Sequence, residues 1–322
     1  MVGLKDVARQ TGFAVSVVSR ALSPKPDPNA RVSAATRRLI REAARRLGYR
    51  RNRAAEFMKR GGSPTVGVFV PAAPNRLLAD LLLGLADVLT PQGFPMQVDA
   101  SATAAGFRRF FRRNLDAAHS GVIGYPYLVS DPQVSRAVAT YRTRGGHVVL
   151  LNTTARPEGV PVVAMDERAG GALAAARLLA RGCRRFAVLG DYQGRADGFR
   201  EALAAQGATA VAFESGPNGL EKAAAFCRRG PGPAGVFAVA DALALRLIRL
   251  LQNRALRVGR EVLVVGYDDL ELAVEVSPAL TTVHQPFRDL GRLAARKLIG
   301  LIYGKEESSV WLPPRLVVRE TA

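Results

Sequence analysis

From Thr65 onward the chain repeats one pattern, a short run of β-branched and apolar residues followed by a longer stretch with helical spacing. The runs are Val66–Val70, Val122–Tyr125, Val148–Leu151, Phe186–Leu189, Val236–Ala240 and Val262–Val265. A strand that is apolar at nearly every residue must be covered on both faces, and strand–helix–strand units give that cover to a parallel sheet. The pattern commits the body to α/β architecture, in two such blocks.

At 322 residues the chain exceeds the roughly 250–300 at which one core stops growing, so two or more folding units are expected. Its charge divides the chain unevenly. The formal net charge is +19, and residues 1–60 hold 15 Lys and Arg against 4 Asp and Glu, a net of +11 in the first fifth of the chain. Compositional bias would spread this excess evenly; concentration at one end points to a polyanion, with nucleic acid the leading partner. The two cysteines, Cys183 and Cys227, match no metal or redox spacing and are expected to be unpaired and buried. No apolar run is long enough to cross a bilayer, and "MVGLKDVARQ" lacks the apolar core of a signal peptide, so no membrane association and a cytoplasmic location are expected.

Within the basic head, Leu4, Val7 and Ala8 share one helix face ahead of Gly12, and a second short helix can run from about Val15 to Leu22 with Val18, Ala21 and Leu22 inward. Two short helices about a tight Gly-containing turn suggest a helix-turn-helix. A third helix opens at Ser33 and stops at Gly48. Leu39, Ile40, Ala43, Ala44 and Leu47 form its apolar stripe, and Arg37, Arg38, Arg41, Arg45 and Arg46 its other face.

The order of these residues resembles a known family. "LKDVARQTGFAVSVVSRAL", followed by "VSAATRRLIREAARRLGYRRN", is similar to the DNA-binding head of the lactose-repressor/galactose-repressor (LacI/GalR) family of bacterial transcription regulators. The resemblance implies that the second helix enters the major groove with Val15, Ser16 and Arg20 nearest the bases, and that Lys5 and Ser19 belong to the same interface. Arg20 is the strongest base reader of these, because a guanidinium can donate two bonds to guanine, worth roughly 1–3 kcal/mol of discrimination. Three departures from the pattern stand out, and the first two are expected to weaken the grip. Ala14 stands where a Ser usually caps the recognition helix, Val17 stands for a usual Thr, and "SPKPDPNAR" lengthens the link to the third helix.

The segment "NRAAEFMKRGG" matches the family's hinge, which becomes helical on operator binding and wedges an apolar side chain into the minor groove. The resemblance assigns Asn52, Ala55 and Met58 to that pattern, with Met58 as the wedge and Arg53 and Lys59 beside it at phosphates. Glu56 departs from it, since a carboxylate there would repel the DNA backbone.

"VGVFVP", "VAMDERAGG", "RADGFREAL", "LVVGYDDLELA", "SPALTTVHQP" and "LPPRLVVRETA" extend the resemblance over the rest of the chain. The family's effector domain shares its fold with periplasmic sugar-binding proteins. The expected organisation is a small all-α helix-turn-helix head (residues 1–51), a hinge and linker (52–64) and a body (65–322) of two doubly wound parallel-sheet lobes. Lobe one takes about 65–162 and 288–312, and lobe two about 163–287 and 313–322. A small molecule would bind between the lobes, held by Asn75, Leu77, Asp166, Arg195, Asp241, Tyr267 and Asp268. Arg195, in the Arg-x-x-Gly-Phe frame, is the strongest of these. Asn75-Arg76-Leu77-Leu78 replaces a usual Asn-Pro-Phe-Phe and removes aromatic faces. Common hexoses and purines are therefore disfavoured, and an anionic effector near Arg76 stands beside a sugar-like one.

The reading that joins these features is a ligand-regulated repressor. It acts as a homodimer on a pseudo-palindromic, double-stranded operator, needs no cofactor or metal and is not an enzyme, since His119, His147 and His284 have no evident nucleophile partner. Without a Leu heptad tail, a dimer and not a tetramer is expected. Two other readings stand beside it: a small-molecule receptor of the same body fold, and an effector-blind DNA-binding protein with a degenerate pocket.

Overall fold

The computed structural model describes residues 2–23, 32–49, 62–72, 75–127 and 129–322. The head contains α1 (Leu4–Thr11), α2 (Val15–Ala21) and α3 (Ala34–Arg46). Gly12 and Gly48 take positive φ at the ends of α1 and α3, the left-handed geometry that lets a helix stop in a tight turn. Ser33 caps α3 by accepting a bond from the Thr36 amide at 3.0 Å, whereas Ala14 at the start of α2 provides no side-chain cap. Val7, Ala8, Val18, Ala21, Ile40 and Ala44 close a small core, with Leu22, Leu47 and Tyr49 packed against it. Leu39 does not join that core. It is 50% exposed, because the helix turns it toward the arginine face.

The body begins with β1 (Ser63–Val70), two residues inside the span expected to be linker. There follow α4 (Arg76–Leu89), β2 (Met96–Ala100), α5 (Ala104–Asp116), β3 (His119–Gly124), α6 (Asp131–Arg142), β4 (Val148–Leu151) and β5 (Val162–Met165). Next come α7 (Glu167–Ala180), β6 (Arg185–Leu189), α8 (Gln193–Ala204), β7 (Ala210–Phe213), α9 (Pro217–Cys227), β8 (Ala234–Ala238), α10 (Asp241–Gln252) and β9 (Val262–Asp268). The chain ends with α11 (Leu272–Glu275), β10 (Thr281–His284), α12 (Phe287–Ile302), β11 (Val310–Leu312) and β12 (Arg315–Val317).

These strands form two six-stranded sheets, ordered β11-β5-β4-β3-β1-β2 and β12-β10-β9-β8-β6-β7. Every pairing is parallel except β10 with β12. Alternate residues of each strand feed opposite faces. In sheet one, Val66, Val68, Ile123 and Val149 pack under α4 and α12, while Phe69, Val122, Val148 and Leu150 pack under α5 and α6. In sheet two, Ala187, Val236 and Val264 meet α9 and α10, while Val188, Phe237 and Val265 meet α7 and α8. Each lobe is thus a doubly wound parallel sheet covered on both sides.

The chain crosses between the sheets three times: after β5 at Asp166, between β10 and α12 at Gln285-Pro286, and between β11 and β12 at Pro313-Pro314. All of β5 lies in sheet one, so the first crossing falls a few residues beyond 162.

In each lobe one pair of helices touches backbone to backbone at glycine. A Cβ on Gly84 (α4) would lie 2.0 Å from the Arg288 carbonyl oxygen, and one on Gly291 (α12) 2.3 Å from that of Leu81. In lobe two, a Cβ on Gly171 (α7) would lie 2.1 Å from the Arg195 carbonyl oxygen, and one on Gly198 (α8) 2.1 Å from that of Arg168. Cys183 and Cys227 are buried and unbonded, and burial pushes their thiols up to about 11 and about 12. No helix among the described residues is long and apolar enough to cross a membrane.

Candidate functional site

Two surfaces carry the residues singled out by the sequence. On the head, α2 buries Val18 and Ala21 and leaves Val15, Ser16, Ser19 and Arg20 exposed, which is the geometry of a helix whose outer face is free to enter a groove. Val15 is 41% exposed and so does not pack inward. Lys5 is exposed on α1. Asn52, Arg53, Ala55, Met58 and Lys59 lie outside the described residues.

The second surface is a cavity of about 470 Å³ between the lobes. Sheet one contributes Asn75, Leu77, Leu78, Tyr125 and Tyr127, and sheet two contributes Asp191, Tyr192, Arg195, Ser215, Leu243 and Asp268. Gln285 and Phe287, at the second crossing, also face it. Most of these follow the carboxyl end of a strand, where parallel strands with crossover helices leave an open crevice.

Arg195 organises the cavity. It is 7% exposed, and the close approach of α7 and α8 at Gly171 and Gly198 fixes its backbone. Its Nε donates to Glu167 Oε2 at 2.7 Å and its Nη2 to Glu167 Oε1 at 3.3 Å. Its Nη1 donates to the Val239 carbonyl at 2.7 Å and to Asp268 Oδ1 at 3.1 Å. The guanidinium also stacks between Tyr192 and Tyr267, at 4.2 and 3.8 Å from the ring centroids. Burial alone would lower its pKa, but the charges of Glu167 and Asp268 overcome that and hold Arg195 firmly protonated.

Asp268 and Asp269 both adopt positive φ, 114° and 53°. Non-glycine residues rarely accept this conformation, and its cost of order 1–3 kcal/mol each is borne only where surroundings enforce it. Here they do. Asp268 Oδ1 accepts from Arg195 and from Gln285 Nε2 at 2.7 Å, while Asp269 is held by His284 Nδ1 at 3.0 Å and Arg319 Nη2 at 2.7 Å. Burial raises the Asp268 pKa against the pull of Arg195.

Of the sequence-derived cleft residues, the structure brings Asn75, Leu77, Arg195 and Asp268 to the cavity wall. Asn75 also caps α4, its Oδ1 accepting from the Leu78 amide at 3.0 Å. Asp166, Asp241 and Tyr267 do not line it. Asp166 caps α7 through the Ala169 amide at 2.9 Å. Asp241 is fully buried, accepting from Thr282 Oγ1 at 2.5 Å and the Leu270 amide at 2.8 Å, and burial pushes its carboxyl up to about 7. It ties α10 to β10 and to the loop after β9. Tyr267 lies beneath Arg195 in the lobe-two core.

Arg76 does not line the cavity and lies 3.7 Å from Asp80 instead. The aromatic faces that Leu77 and Leu78 lack come from Tyr125, Tyr127, Tyr192 and Phe287. Sequence reasoning missed these, although a signal existed: Tyr125 and Tyr127 directly follow β3, and Asp191 and Tyr192 follow β6, the positions where ligand-facing residues gather. It also named Asp166 where the neighbouring Glu167 is the residue that grips Arg195.

Known proteins share this arrangement. Residues 3–52 match the family described as bacterial regulatory proteins, lacI family, and residues 175–322 match a periplasmic binding protein-like domain. The chain is 30% identical to the HTH-type transcriptional regulator CelR of Thermobifida fusca, over 99% of this chain and 97% of that protein. It is 26% identical to catabolite control protein A of Priestia megaterium, over 99% of each. Among solved structures, a complex of the transcriptional regulator CelR with cellobiose superposes with a TM-score of 0.67 at 28% identity, covering 100% of both chains. The lac repressor dimer bound to operator and an anti-inducer shares the fold, with a TM-score of 0.72 at 23% identity over 99% of this chain and 98% of that one.

Proposed function

This chain belongs to the lacI family of bacterial regulatory proteins, and on that premise we propose that an uncharged, polyhydroxylated small molecule closes into its cleft and sets its grip on operator DNA. The chain is a DNA-binding transcription regulator and not an enzyme.

The observation that carries this reading is the state of Arg195, the one cation lining the cavity among the described residues. Its charge is already matched by Glu167 and Asp268, so it offers little attraction to an anion. The remaining polar groups, Asn75, Asp191, Ser215, Gln285 and Asp268, suit hydroxyls that can both donate and accept. Tyr125, Tyr127, Tyr192 and Phe287 add faces on which a sugar ring can rest. These features weigh against the anionic effector considered from sequence, and the solved CelR–cellobiose complex makes cellobiose the first compound to try.

At the DNA end, the reading gives Arg20, Val15 and Ser16 to base edges in the major groove and Lys5 and Ser19 to its borders, with two heads of a homodimer on a pseudo-palindrome. Asn52, Ala55 and Met58 form the minor-groove wedge, flanked by Arg53 and Lys59. The protein works in the cytoplasm, where the chromosome is accessible.

The test is selection of bound sequences from a random duplex pool, with and without cellobiose and a panel of neutral and phosphorylated sugars, and with Met58→Gly in parallel. A palindrome whose binding changes with a neutral sugar and weakens with Met58→Gly supports the reading. A palindrome that responds only to phosphorylated sugars overturns the ligand class. A palindrome that responds to no compound and is equally bound by Met58→Gly removes both the effector and the wedge.

A further inference from the structure

Outside the head, the surplus of basic residues is also localised. Residues 61–322 hold 31 Lys and Arg against 23 Asp and Glu, and residues 104–147 alone hold seven Arg against two Asp. That segment spans α5, β3 and α6, one complete helical face of lobe one. On α5, Phe107, Phe110 and Phe111 turn inward while Arg108, Arg109, Arg112 and Arg113 are exposed.

Arg108 with Arg112, and Arg109 with Arg113, are like charges one helical turn apart, a spacing that costs helix stability. Arg113 is paired with Asp99 and sits in the last turn, where a cation complements the carbonyl end of the helix. Neither reason covers Arg108, Arg109 or Arg112, which have no partner among the described residues. On α6 and just beyond it, Arg142 donates to the Glu158 carbonyl, while Arg136 and Arg144 are likewise exposed and free.

Topology determines where this charge lies. Crossover helices run antiparallel to their strands, so α5 and α6 end at the edge of sheet one where the strands begin. The ligand cavity occupies the opposite edge. The chain arriving from the head enters at this basic edge: the Ser63 amide donates to the Ala118 carbonyl at 2.9 Å, and Ser120 Oγ donates to the Ser63 carbonyl at 2.5 Å. From Tyr49 to Gly62 the chain spans at most roughly 45 Å even if fully extended. The end of the head therefore stays within roughly 45 Å of the point where the chain enters beside the end of α5.

We infer that Arg112 and Arg144 at this edge, with Arg109 one turn before Arg112 on the same helix, bind phosphates of the duplex flanking the operator, so that the sensor body is itself a DNA-binding surface. Such contacts carry no sequence information; they add affinity by releasing counterions, with log K falling against log salt by about 0.9 per phosphate contacted.

The experiment compares two duplexes carrying the same selected operator, one minimal and one with flanks of about 15 base pairs a side, roughly the reach of the connecting segment at 3.4 Å per base pair. Full-length protein is titrated against both over a range of salt. The expected result is a slope steeper by about 2–3 per chain on the long duplex. Arg109→Gln/Arg112→Gln/Arg144→Gln should remove that difference and leave the minimal duplex bound as before, with the matching Arg→Lys triple restoring it. Equal wild-type slopes on the two duplexes would overturn the inference, and that comparison needs no variant to fold. So would a Gln triple that weakens both duplexes alike while keeping its melting temperature.

Discussion

The two lobes are built on the same device and use it differently. In lobe one, α4 and α12 touch at Gly84 and Gly291, and the polar contacts beside the crossing are exposed: Asp87 with Arg288 and Arg292. In lobe two, α7 and α8 touch at Gly171 and Gly198, and the charge held there, Arg195, is buried between two carboxylates and two aromatic rings. Close backbone approach is a packing solution in the first case. In the second it fixes a charged group at the wall of the cavity between the lobes.

The most severe way to sharpen this contrast is Arg195→Met. Glu167 and Asp268 would be left without their cation in a buried site, which costs on the order of 3–5 kcal/mol. Thermal unfolding should show a large drop, and sugar titration should show no binding by whatever folds. Glu167→Gln/Asp268→Asn in the same background should recover much of the stability but none of the binding, since the uncompensated charge would be gone.

A smaller effect separates the two glycine crossings. Gly84→Ala and Gly198→Ala each place a methyl about 2 Å from a carbonyl oxygen, and each should lose about 1–3 kcal/mol as the helices part. Only Gly198→Ala moves the helix carrying Arg195. Calorimetric titration with the effector should show weakened affinity there and near-normal affinity for Gly84→Ala. Equal affinities would mean that Arg195 is placed by its side-chain partners and not by the crossing.

Lobe two should also respond to pH. Asp241 has a folded pKa of about 7 against an ordinary 3.8, because burial disfavours its charge. Between those values the folded state binds more protons than the unfolded, so stability falls as pH rises from about 4 to about 7 and is then level. Asp241→Asn can satisfy Thr282 and Leu270 without a charge. It should melt close to wild type near pH 4 and several degrees higher near pH 8.

The smallest effect is expected at Asp87→Asn. Its carboxyl is held below the usual range by Arg288 and Arg292, but the pair is in contact with solvent, and the melting temperature should not move measurably. A clear loss there would put the lobe-one crossing on the same footing as its counterpart.

Much of this architecture was legible because buried parallel strands write themselves as apolar runs: β1, β3, β4, β6, β8 and β9 all do so. The strands that escaped are of two kinds. β2 and β7 lie at sheet edges, where Gln97, Asp99 and half-exposed alanines dilute the pattern; β5, β10, β11 and β12 are only three or four residues long. At the site, Arg195 and Asp268 were legible through the family motifs that hold them, "RADGFREAL" and "LVVGYDDLELA". Glu167 was not, because its role depends on how closely α7 approaches α8, a distance set by glycines on both helices. Asp241 misled for a related reason: a strand-to-helix turn can aim its first acid at the crevice or back at the core, and Thr282, 41 residues away, decides which.

The three crossings also set an order of construction. The chain leaves sheet one at Asp166 and returns with α12, whose Leu290, Ala294 and Leu298 cover Val66, Val68, Ile123 and Val149. At about 5–20 residues per second, that face waits roughly 6–25 s for its cover during synthesis. The head core, by contrast, closes entirely within residues 4–49. An unfinished or truncated chain would therefore carry a folded DNA-binding head on a body with an open apolar face, able to touch DNA before it can be told to leave.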